Sequence, residues 1–505
     1  MSPKSSIDEY LKTGSAMTPT IKLSTLDQAV REEYRRYCFV FLFDDEIATA
    51  KVTVDQTLHR LVTQLPVLAG NIADDGISIA LQQVEQFSVH HTTDSTLDLE
   101  AISRTGMLAK HFRSKHPTGL ADLANGSASP VFSAQADWLS GGLLLVMYLH
   151  SRVADYLGIS TIVREMSEGL ESRTLALVDL QEEATEATHS RAILSESNGA
   201  TAFFARARLE RLEQQQQQHT SIAQSHQSAH VNVTQLDQLT NAMNLSSEAA
   251  NNRTAILGFK LQNITTLAEM VNSRLSRSDG GAAITDKDVL IAILWRAFAR
   301  AKYPPHSTYP ESAKCSISFE VDIRAVVSLS DDYFGNASIT ATAFESVLSL
   351  AGRYDHFEIE KTAIIIHEAR EAAASERIVR SKIALLNDDP GAAEKEATAD
   401  FIMSDFTACR PELEGTECDL GLELGMPLCV RRVGKDVGSK EAVILPVSEE
   451  NSWWEVQIEV EGAVMEEMLR DMPLREYLCE ALSLTRAFDV INMKLMMLAL
   501  SYLVL

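Results

Sequence analysis

The chain reads as an α/β protein with mixed sheets, and three observations lead there. Its 505 residues exceed what one hydrophobic core ordinarily serves, so two or three domains are expected. Amphipathic helical stretches alternate irregularly with hairpin-like strands, and regular β-α-β units are few. No glycine-rich loop of the P-loop or dinucleotide type appears, so a doubly wound nucleotide fold is not indicated.

Composition narrows the class. Hydrophobic residues make up 45% and charged residues 23%, the balance of a globular protein with a large core. Lys plus Arg is 45 against 70 for Asp plus Glu, a net charge of −25. Nucleic-acid binding needs clustered positive charge, so this balance argues against it. A phosphate-bearing ligand would need a local basic rim on a repulsive surface. Cys38, Cys315, Cys409, Cys418, Cys429 and Cys479 are scattered, and none falls in a Cys-x-x-Cys pair. They read as reduced thiols of a cytoplasmic protein with no zinc site. The polar start, Met1 to Ala16, lacks the apolar core of a signal peptide. The apolar tail from Leu495 to Leu505 is too short to cross a bilayer and reads as a docked element.

The elements follow in order. Tyr37 to Phe43 is strand-like. Val52 to Leu68 reads as a helix with Val54, Leu58, Leu61, Val62 and Leu65 on one face, stopped by Pro66 to Gly70. Short strands are expected at Ile77–Ile79 and Gln86–His90. Val131–Ala136 and Leu143–Leu149 form a hairpin around Ser140-Gly141-Gly142, where glycine supplies the positive φ of a tight turn. The return strand is apolar throughout, so it lies inside a sheet with both faces buried. His150 to Asp155 is its exit, and a helix follows from about Leu157 to Leu170. Residues 196–254, with a glutamine run at Gln214–Gln218, read as a polar crossover linker. A second half opens with a strand at Ala255–Leu261 and a helix at Thr265–Leu275. Thr285 and Asp288 make a capping box for the next helix, whose Val289, Leu290, Ile293, Leu294 and Phe298 form a wide apolar face. Cys315–Val321 is a strand, Tyr333-Phe334-Gly335-Asn336 a turn, and long helices fill about 358–386. Ala442–Pro446 and Trp454–Val460 read as antiparallel strands, followed by a helix at Glu461–Arg470. The expected organisation is a first domain at 1–195, the linker at 196–254, a second domain at 255–480 and a tail at 481–505.

Several local motifs stand in a telling order: Leu23-Ser24-Thr25-Leu26-Asp27, Pro66 to Gly70, the hairpin ending near His150, Leu294-Trp295-Arg296, Val321-Asp322-Ile323-Arg324, and Tyr333 to Asn336. Together, over roughly residues 20–475, the chain resembles the BAHD superfamily of coenzyme A-dependent acyltransferases, in its fungal secondary-metabolite branch. The resemblance implies two chloramphenicol-acetyltransferase-like domains packed around a central channel. It implies acyl-coenzyme A as cosubstrate, with no bound cofactor, and a metabolite hydroxyl as acceptor. A polyketide on a synthase carrier domain is the other donor it allows, and a monomer is expected. The family's signature is His-x-x-x-Asp-Gly, because an attacking hydroxyl must lose a proton and imidazole titrates near neutrality. Its Asp is structural and pairs with an Arg, so the resemblance implies that Asp155 pairs with Arg324.

Anchored on Asp155, the family's catalytic position falls on Ser151, and its glycine position on Tyr156. His150 is then the first histidine of a His-His pair. Neighbouring residues at a strand end point to opposite sides, so His150 is expected to face away from the channel unless the backbone slips by one residue. A serine hydroxyl has no useful basicity at neutral pH. Of the second signature, Asp-Phe-Gly-Trp-Gly, Asp419 and Gly421 are kept. Arg431, Arg432 and Lys435 are candidates for a coenzyme phosphate rim, and a solvated loop is the competing reading. Three functions stay open: O-acyl transfer with His150 or another group as base, cyclisation or isomerisation of a polyketide or terpenoid, and a non-catalytic accessory.

Overall fold

The computed structural model describes residues 18–99, 129–168, 188, 191–195, 252–275, 283–388 and 399–479, with short breaks at 31, 43–46, 305–308, 332, 353–355, 408–411, 414–415, 418–419, 423, 434–439 and 447–452. The glutamine run, the 196–251 part of the linker, the loop at Ser448–Ser452 and the C-terminal tail lie outside the described residues.

The first half begins with β1 (Thr20–Lys22), helix α1 (Thr25–Ala29), β2 (Tyr34–Leu42) and α2 (Ile47–Gln64). Short strands β3 (Asn71–Ile72) and β4 (Ser78–Ala80) precede β5 (His90–Asp98) and β6 (Ser129–Pro130). The hairpin is β7 (Phe132–Ser140) and β8 (Gly142–His150), followed by α3 (Tyr156–Glu168). The second half carries β9 (Asn252–Lys260), α4 (Leu261–Leu275), α5 (Asp286–Lys302), β10 (Lys314–Asp322), β11 (Ser338–Ser346) and α6 (Val347–Ala351). Helices α7 (His356–Ala373) and α8 (Glu376–Asp388) lead to β12 (Phe401–Asp405) and a two-residue ribbon, β13 (Glu412–Leu413) with β14 (Thr416–Glu417). Strands β15 (Cys429–Arg432), β16 (Glu441–Ile444) and β17 (Trp453–Glu461) and helices α9 (Gly462–Arg470) and α10 (Met472–Tyr477) complete it.

Two mixed sheets organise these elements. The first runs β15-β2-β8-β7-β5 and the second β11-β10-β12-β16-β17-β9. Parallel pairs (β5 with β7, β10 with β12, β12 with β16) sit among antiparallel ones. β15 belongs to the second half in sequence yet pairs antiparallel with β2, so the second half lends a strand to the first sheet. The core of the first half packs Val54, Leu58, Leu61 and Val62 of α2 and Ile159, Ile162 and Met166 of α3 onto β2 and β8. In the second half α5 is buried on nearly every side, more than the wide face expected of it, because both a sheet and α7 cover it. The Thr285 capping box forms, and buried Asp288 also pairs with Arg370 at 2.6 Å.

Some boundaries move. β7 continues through Asp137-Trp138-Leu139-Ser140, and Gly141 alone, at φ +75°, makes the turn. Gly142 is already in β8, where a Cβ would lie 2.6 Å from the Phe41 carbonyl and 2.2 Å from Leu99, so this glycine permits a close strand approach. Residues Gln86–His90 are not a strand. A 3-10 turn occupies Val84–Gln86, and pairing starts only at His90, where β7 becomes available as partner. Helix α2 starts five residues before the expected Val52 and ends at Gln64, ahead of a 3-10 turn at Pro66–Ala69.

Candidate functional site

β8 is central in its sheet and buried along its whole length, so its C-terminal end is held firmly. Its odd residues, Leu143, Leu145, Met147 and Leu149, face the α2 and α3 core. Its even residues, Leu144, Val146 and Tyr148, face the opposite side with Cys38 and Val40. His150 continues the even series and packs edge-on against Tyr34, with ring centroids 5.2 Å apart. Its Nδ1 accepts the Arg152 backbone N–H at 3.3 Å. With Nδ1 an acceptor, the neutral ring carries its proton on Nε2. That Nε2 is buried without a hydrogen-bond partner, 3.6 Å from Glu32 Oε1. Burial pushes the ring's pKa down to about 4, against the upward pull of Glu32 and with help from the Arg152 cation. At neutral pH it is an uncharged donor, the wrong tautomer for taking a proton through Nε2.

Ser151 is 1% exposed. Its N–H donates to the Glu33 carbonyl at 2.9 Å, and its Oγ accepts the Glu33 N–H at 3.1 Å. Its carbonyl accepts from Asn336 Nδ2 at 2.9 Å. No titratable base is offered at this position by the residue itself.

Behind the loop stands a dense polar scaffold. Asp155 caps α3, accepting the Leu157 N–H at 3.1 Å, and it also accepts the Ala337 N–H at 2.9 Å. Arg324 meets it with two parallel hydrogen bonds of 3.0 and 2.9 Å, and both residues are buried. The same guanidinium donates to Asp322 and to the carbonyls of Tyr333 and Gly335. A second buried ion pair, Arg191 with Asp27, lies alongside. Arg191 Nη2 donates to the carbonyls of Val153 and Phe334 at 3.0 and 3.1 Å. Asp27 also accepts the backbone and side-chain amides of Asn336 at 3.1 and 3.0 Å. Contacts from the second half therefore reach the loop at residues 151 and 155, and Arg35 with Glu320 at 3.4 Å crosses the same junction.

The structure thus brings His150, Ser151, Asp155 and Arg324 into one locus. Asp419 and Lys435 lie outside the described residues. Gly421 is elsewhere: at φ +66° its carbonyl accepts from Thr57 Oγ1 at 2.7 Å, tying it to α2. Arg431 and Arg432, the candidates for a coenzyme rim, are placed inside the fold. Both lie in β15, Arg431 paired with Glu455 at 2.8 Å and Arg432 with Glu441, so internal carboxylates already neutralise both cations. Arg431 and Arg432 are strand residues paired with β2 and not part of a solvated loop. His367 packs on α7, 3.6 Å from Asp288. His91 is engaged by Asp55 and the Trp138 indole, and no group of three metal-ligating side chains forms among the described residues. Asp27, Asn336 and Arg191 escaped the sequence reading as site residues. The first two lie in motifs already quoted, at Leu23–Asp27 and Tyr333–Asn336, whereas nothing in the sequence marks Arg191.

The Transferase family model matches residues 13–474. An O-acetyltransferase, pboB of Aspergillus ustus, is 24% identical over 212 residues, 39% of this chain and 42% of that protein's length. TRI101 of F. sporotrichioides, solved with coenzyme A and T-2, is 18% identical with a TM-score of 0.65, covering 91% of this chain and 99% of its own. TRI101 of F. graminearum, solved with coenzyme A and deoxynivalenol, is 17% identical at a TM-score of 0.67 over the same shares. Vinorine synthase is 12% identical at 0.53, covering 91% and 93%. At these identities the solved structures establish a shared fold.

Proposed function

The chain belongs to the Transferase family, the BAHD-type acyltransferases, and from that premise we propose that it moves an acyl group from acyl-coenzyme A to the hydroxyl of a small secondary metabolite. In that reaction the hydroxyl oxygen attacks the thioester carbonyl, the C–O bond forms, the C–S bond breaks, and the hydroxyl proton ends on the coenzyme thiol. The O-acetyltransferase relative and the fold neighbours solved with coenzyme A and trichothecenes support this choice of donor and acceptor class. The observation that carries the reading is the intact brace. Buried charge holds the 151–155 loop from the second half, which fixes geometry of the kind that orientation catalysis requires.

This chain's own residues then orient more than they exchange protons. Ser151 stands where an imidazole would act, and loss of a general base typically lowers rate by about 10²–10⁴. The polarity of Ser151 and the Nε2–H tautomer of His150 favour a second reading: a member that binds its ligand and either folds it for cyclisation or serves another enzyme. A carrier-bound polyketide is the alternative donor under the first reading.

One assay separates these. Purified protein is incubated with acetyl-, malonyl- and longer acyl-coenzyme A and candidate metabolite alcohols, and thiol release is measured. Wild-type turnover supports acyl transfer. An inert wild type with an active Ser151→His variant means that the ordinary reaction was lost with the imidazole. A coenzyme-independent change of the metabolite supports the second reading and removes the first.

A further inference from the structure

We propose that Asn336 is a positioning residue that fixes the direction in which residue 151 presents its side chain, with Asp27 and Arg191 holding Asn336 and the loop in place. The inference rests on the acyl-transfer reading only for its kinetic consequence. Asp155 and Arg324 lock the far end of the loop, where α3 begins. Four residues earlier the constraint comes from elsewhere. The Asn336 amide donates to the Ser151 carbonyl at 2.9 Å and to Asp27 Oδ1 at 3.0 Å, while its own Oδ1 is buried without a partner. The side chain is therefore held by what it donates, and those two donations tie the plane of the 151 carbonyl to a buried carboxylate. Asp27 is 0% exposed and fully committed: it accepts from Ser24 N–H, Arg191 and both Asn336 amides. Arg191 adds the middle point by donating to the Val153 carbonyl. Fixing the peptide planes on both sides of a residue leaves its Cα–Cβ direction little freedom. A loop held at residues 151, 153 and 155 presents one orientation at 151, whichever side chain stands there.

The test uses the full chain carrying Asn336→Ala and, as the milder change, Asn336→Ser. Hydrogen exchange is read on peptides covering 150–155, on β8 and on α3. Losing roughly one buried hydrogen bond corresponds to about tenfold faster local exchange. The expected result is that acceleration at 150–155, with β8 and α3 unchanged. The spectroscopic arm places ¹⁵N-labelled histidine at residue 151 through Ser151→His. With Asn336 present, one ring tautomer is expected; with Asn336→Ser, the signals average or broaden. Unchanged local exchange and an unchanged imidazole spectrum overturn the proposal. So does acceleration spread evenly over all three regions, which marks a merely structural residue. Absence of thiol release by both the wild type and a stably folded Ser151→His sinks the acyl-transfer reading and leaves the exchange and spectroscopic results to decide this one.

Discussion

Arg324→Met is the sharpest test of how the loop is held. The substitution removes a guanidinium that is 1% exposed from a carboxylate that is 0% exposed. Two hydrogen bonds of 3.0 and 2.9 Å to Asp155 disappear, and the carbonyls of Tyr333 and Gly335 lose their donor. Charges about 4 Å apart at an effective dielectric of about 20 interact by about 4 kcal/mol, and breaking buried pairs from one side typically costs about 3–5 kcal/mol. Asp155 keeps the Leu157 and Ala337 amides, which hold the total near the middle of that span, about 4 kcal/mol. With an unfolding entropy of about 2.1 cal/mol/K per residue over 505 residues, a drop in Tm of about 4 °C corresponds to this loss. Urea unfolding of wild type, Arg324→Met, Asp155→Leu and the double variant measures it. The double variant removes the stranded charge and is expected to be less destabilised than the sum of the singles, by about 2 kcal/mol or more. A loss below about 1 kcal/mol in Arg324→Met, or strict additivity in the double variant, refutes the claim that the pair is dry and mutually dependent.

Two further outcomes concern His150, beside the loop, and Gly421, at the turn tied to α2. His150 titrates at about 4 when folded against 6.5 for a free side chain. Its folded pKa is depressed, so between 6.5 and 4 the unfolded chain binds the proton and the folded one does not. Stability from this group is intact above pH 6.5 and falls as the pH drops, by about 2 kcal/mol from pH 7.5 to 5. Denaturant unfolding at both pH values should show a shallower fall in His150→Gln; identical slopes contradict the burial argument. Gly421→Ala forces a Cβ onto a φ of +66°, 2.8 Å from the Met166 carbonyl and 2.9 Å from Arg60. A loss of about 2 kcal/mol or more is expected, and wild-type stability would show that this turn relaxes freely.

What the sequence made legible was local. The Thr285 and Asp288 cap spans four residues, and the spacing alone specifies it. The buried β8 announced itself through seven successive apolar residues, and its alternation placed His150 on the face away from α2 and α3. The brace was legible only where a motif marked it. Asp27 lies 164 residues from Arg191 and 309 from Asn336, and no periodicity links such separations. The surroundings of the β15 arginines were hidden for the same reason. Adjacent basic residues beside Lys435 look like a cationic rim until the partners of the two arginines, Glu455 and Glu441 of the second sheet, are known. The turn at Gly141 was drawn too wide because two adjacent glycines look alike in sequence, although one supplies a positive φ and the other a close strand approach.

Stability and chemistry part company at residue 151, and Ser151→His exposes the separation. Ser151 contributes to the scaffold mainly through its backbone N–H and carbonyl, which a histidine also supplies. The hydroxyl adds one accepted bond from the Glu33 N–H. The introduced imidazole needs space that the 1% exposure of Ser151 does not advertise. If an acceptor channel still opens at this point, the ring enters it, the melting temperature stays close to wild type, and thiol release rises. If neighbouring side chains have closed over the smaller residue, the ring overpacks the site, at a cost of about 1–3 kcal/mol, and no activity returns. The melting temperature of this variant therefore says whether the space for an imidazole has survived. Unchanged stability with no activity, in the variant and in the wild type alike, would leave the brace explained and the acyl-transfer reading without support.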